Sequence, residues 1–251
     1  MKTILVIGIG VGDPDQLTLQ AVQALRRADV FFVLDKGREK ADLRGLREEI
    51  LRRHAGERPY RIAEAPSPPR DGAPADYRAC VDALNEAKQA VFRTLIEGLA
   101  EGETGAFLVW GDPMLYDSTL RNLDALKAAG LAFTHEVIPG ITAIQALAAA
   151  HRIPLNRIAE AVTVTTGRLL ADGFPPGIAS VVVLLDGEDT YRRFVGQDVE
   201  IFWGAYLGTA RQILVAGRID DVAEEIHRRR HAARAANGWI MDTYLLRRLP
   251  S

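Results

Sequence analysis

The stretch "VWGDPMLYDSTL", Val109–Leu120, decides how the chain is read. It continues an apolar run that starts at Ala106 and is cut by Gly111-Asp112-Pro113, with helix-forming sequence only from Ser118 onward. A short apolar run bounded by glycine and proline reads as a strand covered on both faces, as in a parallel sheet. A simple turn needs only Gly-Asp-Pro, yet Met114, Leu115 and Tyr116 follow it. Three large apolar side chains beside a carboxylate suit either packing against other parts of the protein or the floor of a pocket.

The same pattern recurs on both sides. Ile4–Ile9 is a β-branched run followed by glycines, and Leu17, Ala21, Val22 and Leu25 then recur at helical spacing. Val30–Leu34 reads as a second strand, and Leu43, Leu46, Ile50 and Leu51 mark another helix. Residues 64–74, "EAPSPPRDGAP", read as a surface loop, because their prolines exclude helix. A long helical pattern spans 76–100, followed by a strand over 104–110, a helix over 118–129 and a strand over 133–137. Pro139-Gly140 is a strong break, so the domain boundary is placed there, giving an N-terminal domain 1–137 and a C-terminal domain 138–251. The second half predicts strands near 161–166, 180–185 and 199–206, helices near 188–195, 208–216 and 220–236, and a last strand in "GWIMDTYLL". Alternating strands and helices in both halves predict two α/β domains. Ligands on such sheets bind beyond the carboxyl ends of strands, which singles out residues 8–16, 35–42, 111–117, 138–143 and 186–188.

Bulk composition narrows the classes of function. A chain of 251 residues with net charge -2 has no general attraction for nucleic acid or an anionic membrane. Cys80 is the only cysteine, which rules out an intrachain disulfide and disfavours a cysteine-based metal site. No apolar run approaches the roughly 20 residues that span a bilayer. A soluble, cytoplasmic protein is expected.

"GIGVGD", Gly8–Asp13, has the setting of a dinucleotide loop but carries Asp13 where the third glycine belongs. A carboxylate there opposes a pyrophosphate, so a nicotinamide cofactor is disfavoured. The plainer reading is a tight turn in which Asp13 or Asp15 caps the next helix. In "PGITA", Thr142 reads as a helix N-cap or as a ligand contact beside the small Ala143. "DKGREKADLR", Asp35–Arg44, is a mixed charge run at a strand end. It suits either a solvated surface or a substrate bearing several carboxylates. The basic run Arg228–Arg234 reads as partly solvated cations near a helix C-terminus. His227 and His231 have i, i+4 spacing there, but the surrounding arginines oppose a metal, and none is expected.

Taken together, "GIGVGDPDQLTL", "GDPMLYDS", "PGITA", the strand ending in "LLDG", and "GAYLGT" resemble the tetrapyrrole methylase family over essentially the whole chain. The resemblance implies two α/β domains with a cofactor cleft between them and S-adenosyl-L-methionine as methyl donor. The cofactor is then expected at Val11, Trp110, Gly111, Asp112, Leu115, Thr142, Ala143, Leu185, Asp186 and the segment Trp203, Gly204, Ala205, Tyr206, largely through backbone groups. Val11 stands where relatives often carry proline, and Asp186 where some carry methionine. "DKGREKADLR", "TTGR" and "NGWIMDTYLLRR" look like a cobalamin-pathway member that methylates precorrin-5 at C1 and releases its acetyl group as acetate. On that reading Asp35, Asp13 and Asp117 are candidates for the base that activates water. Lys36, Arg38, Arg44 and Tyr116 are candidates for the substrate's acid arms and ring. The resemblance also implies a homodimer and handover of the product to neighbouring pathway enzymes. The rival readings are another methylase of this fold acting on a different tetrapyrrole or on RNA ribose, and a non-catalytic tetrapyrrole carrier.

Overall fold

The computed structural model describes residues 1–35, 41–69 and 77–249; the side chains of Asp35, Ala41, Asp42, Tyr77 and Arg78 are outside that description. The chain divides into two compact units, Met1–Ile141 and Thr142–Ser251, so the division falls after Ile141 rather than after residue 137. The Pro139-Gly140 break stays with the first unit because Gly140 packs against the ends of that unit's own strands.

The first unit is a five-stranded parallel sheet. Its elements are β1 (Thr3–Gly8), α1 (Leu19–Leu25), β2 (Val30–Asp35), α2 (Ala41–His54), β3 (Arg61–Pro66), α3 (Tyr77–Glu97), β4 (Thr104–Val109), α4 (Thr119–Ala128) and β5 (Thr134–Ile138). The strand order is β3-β2-β4-β1-β5. The sheet is sandwiched between two apolar layers. One joins Leu5, Ile7 and Phe31 to Ala21 and Leu25 of α1 and Ile50 and Leu51 of α2. The other joins Ile4, Val6, Phe32 and Phe107 to Phe92 and Ile96 of α3 and Leu123 of α4. The central strands are therefore apolar on both sides, as continuous rather than alternating runs require.

The strand β3 corrects the sequence reading, which had begun a loop at residue 64. It is an edge strand paired only with β2, mostly exposed, and it ends at Pro66, a position where a missing N–H costs no ladder bond. Its weak apolar content hid it. Chain direction reverses in the middle of this sheet: the β1–β2 connection runs one way across it and the β4–β5 connection runs the other. The adjacent pair β4 and β1 is thus the topological switch point, where a crevice opens beyond the strand ends.

The second unit contains α5 (Ala143–His151), β6 (Val162–Thr166), the single turn α6 (Gly167–Leu170), β7 (Ser180–Leu184), β8 (Val199–Ala205), β9 (Ile213–Arg218), α7 (Ile219–Asn237) and β10 (Asp242–Arg248). Its sheet has the order β6-β7-β10-β8-β9 and is parallel only between β6 and β7. Two local readings are overturned here. The helix expected over 208–216 is the turn before β9, whose Ile213–Arg218 pair antiparallel with β8. The helix expected over 188–195 is a 3₁₀ turn, Thr190–Phe194. In both cases long-range pairing or packing overrides local propensity. Among the described residues no helix is long and apolar enough to cross a membrane.

Candidate functional site

In the first unit, three glycines from three strand ends press together at the switch point. A Cβ on Gly8 would lie 2.6 Å from the Gly140 nitrogen and 2.9 Å from the Gly111 oxygen; one on Gly140 would lie 2.1 Å from that same oxygen. Side chains do not fit there, so the ends of β1, β4 and β5 meet backbone to backbone. Gly10 and Gly111 exchange both main-chain hydrogen bonds, at 3.2 and 2.7 Å, in an isolated bridge, and both have positive φ. Asp112 then ties the junction together. It is buried, its Oδ1 accepts from the Met114 amide at 2.8 Å, and its Oδ2 accepts from the Gly140 amide at 2.9 Å. Its carboxylate is spent on the loop, which leaves backbone groups and the neighbouring side chains for a ligand.

Those neighbours explain the apolar run after Gly-Asp-Pro. Met114 is 61% and Tyr116 47% exposed, and Tyr116 holds a positive φ of 51°. Val11 is buried and Trp110 packs partly against the core. The two loops, 8–16 and 110–118, contain four carboxylates (Asp13, Asp15, Asp112, Asp117) and no lysine or arginine. A rim of that charge repels a pyrophosphate and suits a cationic ligand.

The expected acid–base and substrate groups separate. Asp13 caps the 3₁₀ turn Pro14–Gln16, accepting from the Asp15 amide at 2.9 Å, while Thr18 caps α1. Asp117 accepts from the Thr119 amide at 2.6 Å through Oδ1, at the start of α4, where the N-cap residue Ser118 makes no side-chain cap bond. Arg44, expected to await a substrate carboxylate, is already paired with Glu48 at 2.8 Å and Glu64 at 2.6 Å. Lys36 and Arg38 lie outside the described residues, as does the side chain of Asp35.

In the second unit the informative feature is the end of β7. Leu185 holds φ 55° and is 67% exposed, a strained backbone with a side chain left in the open. The next residue anchors it. Asp186 Oδ1 accepts from the Glu188 amide (3.0 Å) and the Thr190 hydroxyl (2.9 Å), and Oδ2 from the Thr190 amide and the Tyr244 hydroxyl, both at 2.7 Å. A Cβ on Gly167, the glycine of "TTGR", would lie 2.5 Å from Asp186 Oδ1, so only glycine fits beside this carboxylate. Asp186 is therefore a structural anchor in its side chain, and even its carbonyl is taken, by Arg230 Nη2 at 2.5 Å.

Arg230 corrects the reading of the basic run as solvated cations. It is buried, with Nη1 2.8 Å from Asp189 and Nε 2.8 Å from Asp242. Burial pulls its pKa down, but the carboxylates of Asp242, Asp189 and Asp186 outweigh that and raise it. Burial pushes the Asp242 carboxyl up, only partly offset by Arg230 and by the Trp203 indole, which donates to it at 2.9 Å. Asp189 ends below its ordinary value: burial raises it, but hydrogen bonds from His231 and His227 and the charge of Arg230 prevail. The donor atoms of Asp189, His227 and His231 lie within 4.8 Å of one another, the spacing of a potential metal set. Each already has a partner: the rings bond Asp189 Oδ2 at 2.7 and 2.9 Å, and Arg230 holds Oδ1.

Trp203 and Ala205 are fully buried and Tyr206 nearly so, with the Tyr206 hydroxyl donating to the Trp239 carbonyl at 2.5 Å. A Cβ on Gly204 would lie 2.8 Å from Leu207 and 2.9 Å from Leu147. The side chains of this segment thus build the core. Thr142 caps α5 as expected, accepting from the Ile144 amide at 3.1 Å while Gln145 accepts from the Thr142 amide, and Ala143 opens the helix.

Sequence reasoning missed Arg47 and Lys88. Both occupy the apolar stripes of their helices, Arg47 between Leu43 and Ile50 and Lys88 between Leu84 and Phe92. A cation at a core-facing position was the available signal.

Comparison with known proteins agrees with this arrangement. The family model described as tetrapyrrole (corrin/porphyrin) methylases matches residues 3–223. A precorrin-6A synthase [deacetylating] from Sinorhizobium sp is 46% identical over 250 residues, covering 99% of this chain and 96% of that protein. The crystal structure of a cobalamin synthesis related protein, CobF, from Corynebacterium diphtheriae superposes with a TM-score of 0.83 at 38% identity, covering all of both chains. The fold is also that of the uroporphyrin-III C-methyl transferase from Thermus thermophilus complexed with S-adenosyl homocysteine, at a TM-score of 0.57, 18% identity, 97% of this chain and 96% of that one. Glycine-packed strand ends, an acidic loop rim and full-length similarity lead to one conclusion: the chain belongs to the tetrapyrrole methylase family.

Proposed function

We propose that the protein is an S-adenosyl-L-methionine-dependent C-methyltransferase that converts precorrin-5 to precorrin-6A by methylating C1 and releasing acetate in cobalamin synthesis. The single observation that carries this reading is full-length similarity, at 46% identity, to a precorrin-6A synthase. The local chemistry supports it. The junction of Gly8, Gly111 and Gly140 admits no side chain, and the flanking loops carry only negative charge, so the residues present suit a sulfonium nucleoside.

The sulfonium supplies an already activated methyl group, and no metal or covalent nucleophile is required of the protein for that step. The protein's contribution is alignment, which is worth on the order of 7–11 kcal/mol when reacting groups are held in line. In the first unit we assign contacts to the backbone of Trp110, Gly111 and Asp112 and to the side chain of Leu115, with Val11 and Gly12 closing the glycine loop. In the second unit the strained turn at Leu185 and the entry of α5 at Thr142 and Ala143 are the contacts assigned. The Trp203–Tyr206 segment stays in the proposed set on the family resemblance alone, since its side chains are committed to the core and β8 pairs on both sides, with β10 and β9. Met114 and Tyr116, both exposed beside the acidic rim, are assigned to the flat macrocycle. A homodimer and handover to neighbouring pathway enzymes belong to the same proposal.

The test is mass spectrometry of purified enzyme with precorrin-5 and methyl-labelled S-adenosylmethionine. The expected product carries one labelled methyl group and appears with one equivalent of acetate. Unlabelled product, or label without acetate, refutes the assigned reaction. Saturable binding of S-adenosylhomocysteine by calorimetry separates this reading from a tetrapyrrole carrier, which has no such site.

A further inference from the structure

Within the first unit a cavity of about 140 Å³ lies beyond the carboxyl ends of β2 and β4. That is several times the roughly 30 Å³ a water molecule takes up. Its walls are largely aromatic and aliphatic, but Arg47, Lys88, Asp117 and Ser118 also line it, next to Trp110. Such a mixture is costly unless the polar groups have work to do, because a charge set among apolar walls loses its hydration.

Arg47 is the informative member. Nη1 donates to the Leu43 carbonyl at 3.0 Å and Nε to the Leu108 carbonyl at 3.5 Å. Among the described residues no carboxylate lies within ion-pair distance of it, whereas Arg27, Arg44, Arg52 and Arg61 all have one. Burial alone pulls its pKa down, with no anion to offset the effect. Lys88, from α3 on the other face of the sheet, donates to the Ser118 hydroxyl at 3.0 Å. Asp117 spends Oδ1 on the Thr119 amide, and its Oδ2 has no partner among the described residues. Two cations and a carboxylate thus share one small cavity, and neither Arg47 nor Lys88 forms an ion pair with Asp117. That is the inventory an acyl hydrolysis needs: donors for a developing oxyanion and a base for water.

We infer that this cavity is where the acetyl group is removed: Arg47 and Lys88 receive the acetyl oxygen and then the acetate, and Asp117 Oδ2 takes the proton of the attacking water. The inference rests on the reaction proposed above. Water adds to the acetyl carbon, the bond from that carbon to the macrocycle breaks, and its electron pair passes into the conjugated ring system. Counted together with methyl transfer, that electron pair offsets the positive charge the methyl group brings from the sulfonium, so neither water proton stays on the macrocycle. One leaves through Asp117 and the other as acetic acid ionises, and no oxidant, reductant or metal is needed. The anion formed is the partner that Arg47 lacks among the described residues.

Single-turnover reactions with precorrin-5 and labelled S-adenosylmethionine test the site, with acetate and methyl transfer measured separately. Arg47→Gln should slow acetate release by roughly 10²–10³ and Asp117→Asn by roughly 10²–10⁴. Both should keep the affinity for S-adenosylhomocysteine within about twofold of wild type. Arg47→Lys, which keeps a cation, should fall between, and it decides the matter if the glutamine variant does not fold. Asp117→Asn should also lose the acidic limb of the pH profile of acetate release, which a merely structural aspartate would not set. Acetate release within about threefold of wild type in a folded Arg47→Gln or Asp117→Asn variant overturns the site alone. Wild-type protein that binds S-adenosylhomocysteine but neither methylates precorrin-5 nor releases acetate overturns the reaction itself, and this site with it.

Discussion

Replacing Arg230 with methionine tests the polar centre of the second unit. The guanidinium faces Asp242 and Asp189, whose side chains are only 6% and 8% exposed, and it also holds the Asp186 carbonyl. Methionine approximates its volume but leaves Asp242 as a buried carboxylate supported, among the described residues, by the Trp203 indole alone. Breaking a buried pair from one side costs about 3–5 kcal/mol. Against a total stability of roughly 5–15 kcal/mol, that is a large share, and for a unit of this size it lowers Tm by about 10–20 °C. The cost should depend on pH. Burial already raises the folded pKa of Asp242 above its unfolded value, so the native state binds the proton more tightly and stability declines as pH rises through that interval. Without the guanidinium the interval widens, so the variant should be least impaired at acidic pH and most impaired at pH 8. Adding Asp242→Asn should recover part of the loss, since the amide oxygen can still accept from Trp203. The assay is thermal and urea denaturation of the single and double variants between pH 5 and 8. A single variant that melts within about 3 °C of wild type, or a double variant no more stable than the single, would show that the ion cluster does not hold the turn after β7.

Four further outcomes follow from local geometry and charge. Gly140→Ala should abolish S-adenosylhomocysteine binding and destabilise by at least the 1–3 kcal/mol typical of overpacking, because its Cβ meets the Gly111 oxygen at 2.1 Å. Gly45→Ala, in the middle of α2 with nothing within 4 Å of the added carbon, should instead stabilise by roughly 0.5–1 kcal/mol in denaturant titration. Thr142→Ala should cost about 1 kcal/mol in the same titration by removing the side-chain oxygen of the capping box of α5. Glu49, hydrogen-bonded by Arg52 and Arg53, is lowered to a pKa of about 2. Its contribution to stability is present above the unfolded value and lost as pH falls through the folded one. Because the site is open to solvent, 1 M salt should move its NMR titration upward, and a titration insensitive to salt would contradict the assignment.

Much of the architecture was written locally. Continuous apolar runs ended by glycine marked β1, β4 and β7, because a strand covered on both faces has no polar side and its end needs small residues. Gly8, Gly10, Gly111 and Asp112 were legible for the same reason: close backbone approach leaves a glycine pattern in the chain itself. The edge strand β3 and the strand β9 were not, since their identity comes from the partners they pair with, and those lie elsewhere in the sequence. Arg44 and Arg230 show the limit for charges. Both are arginines in basic or mixed runs, yet one is engaged at the surface with two glutamates and the other neutralises a buried pair of aspartates. No local pattern distinguishes them.

The sequence alone therefore pointed to the family and to the glycine-ended strands, because these depend on backbone conformation and on burial periods only a few residues long; that Gly8, Gly111 and Gly140 press together was decided by the tertiary structure. Only the tertiary structure decided that Arg47, Lys88 and Asp117 share one cavity, and that Asp186 serves as an anchor with its carboxylate fully engaged. Those assignments depend on groups 29 to 70 positions apart along the chain, in the first case, and 58 in the second, between Asp186 and Tyr244. Electrostatics and hydrogen bonding act through space, over a few ångströms, and chain folding alone sets which distant residues fall within that range.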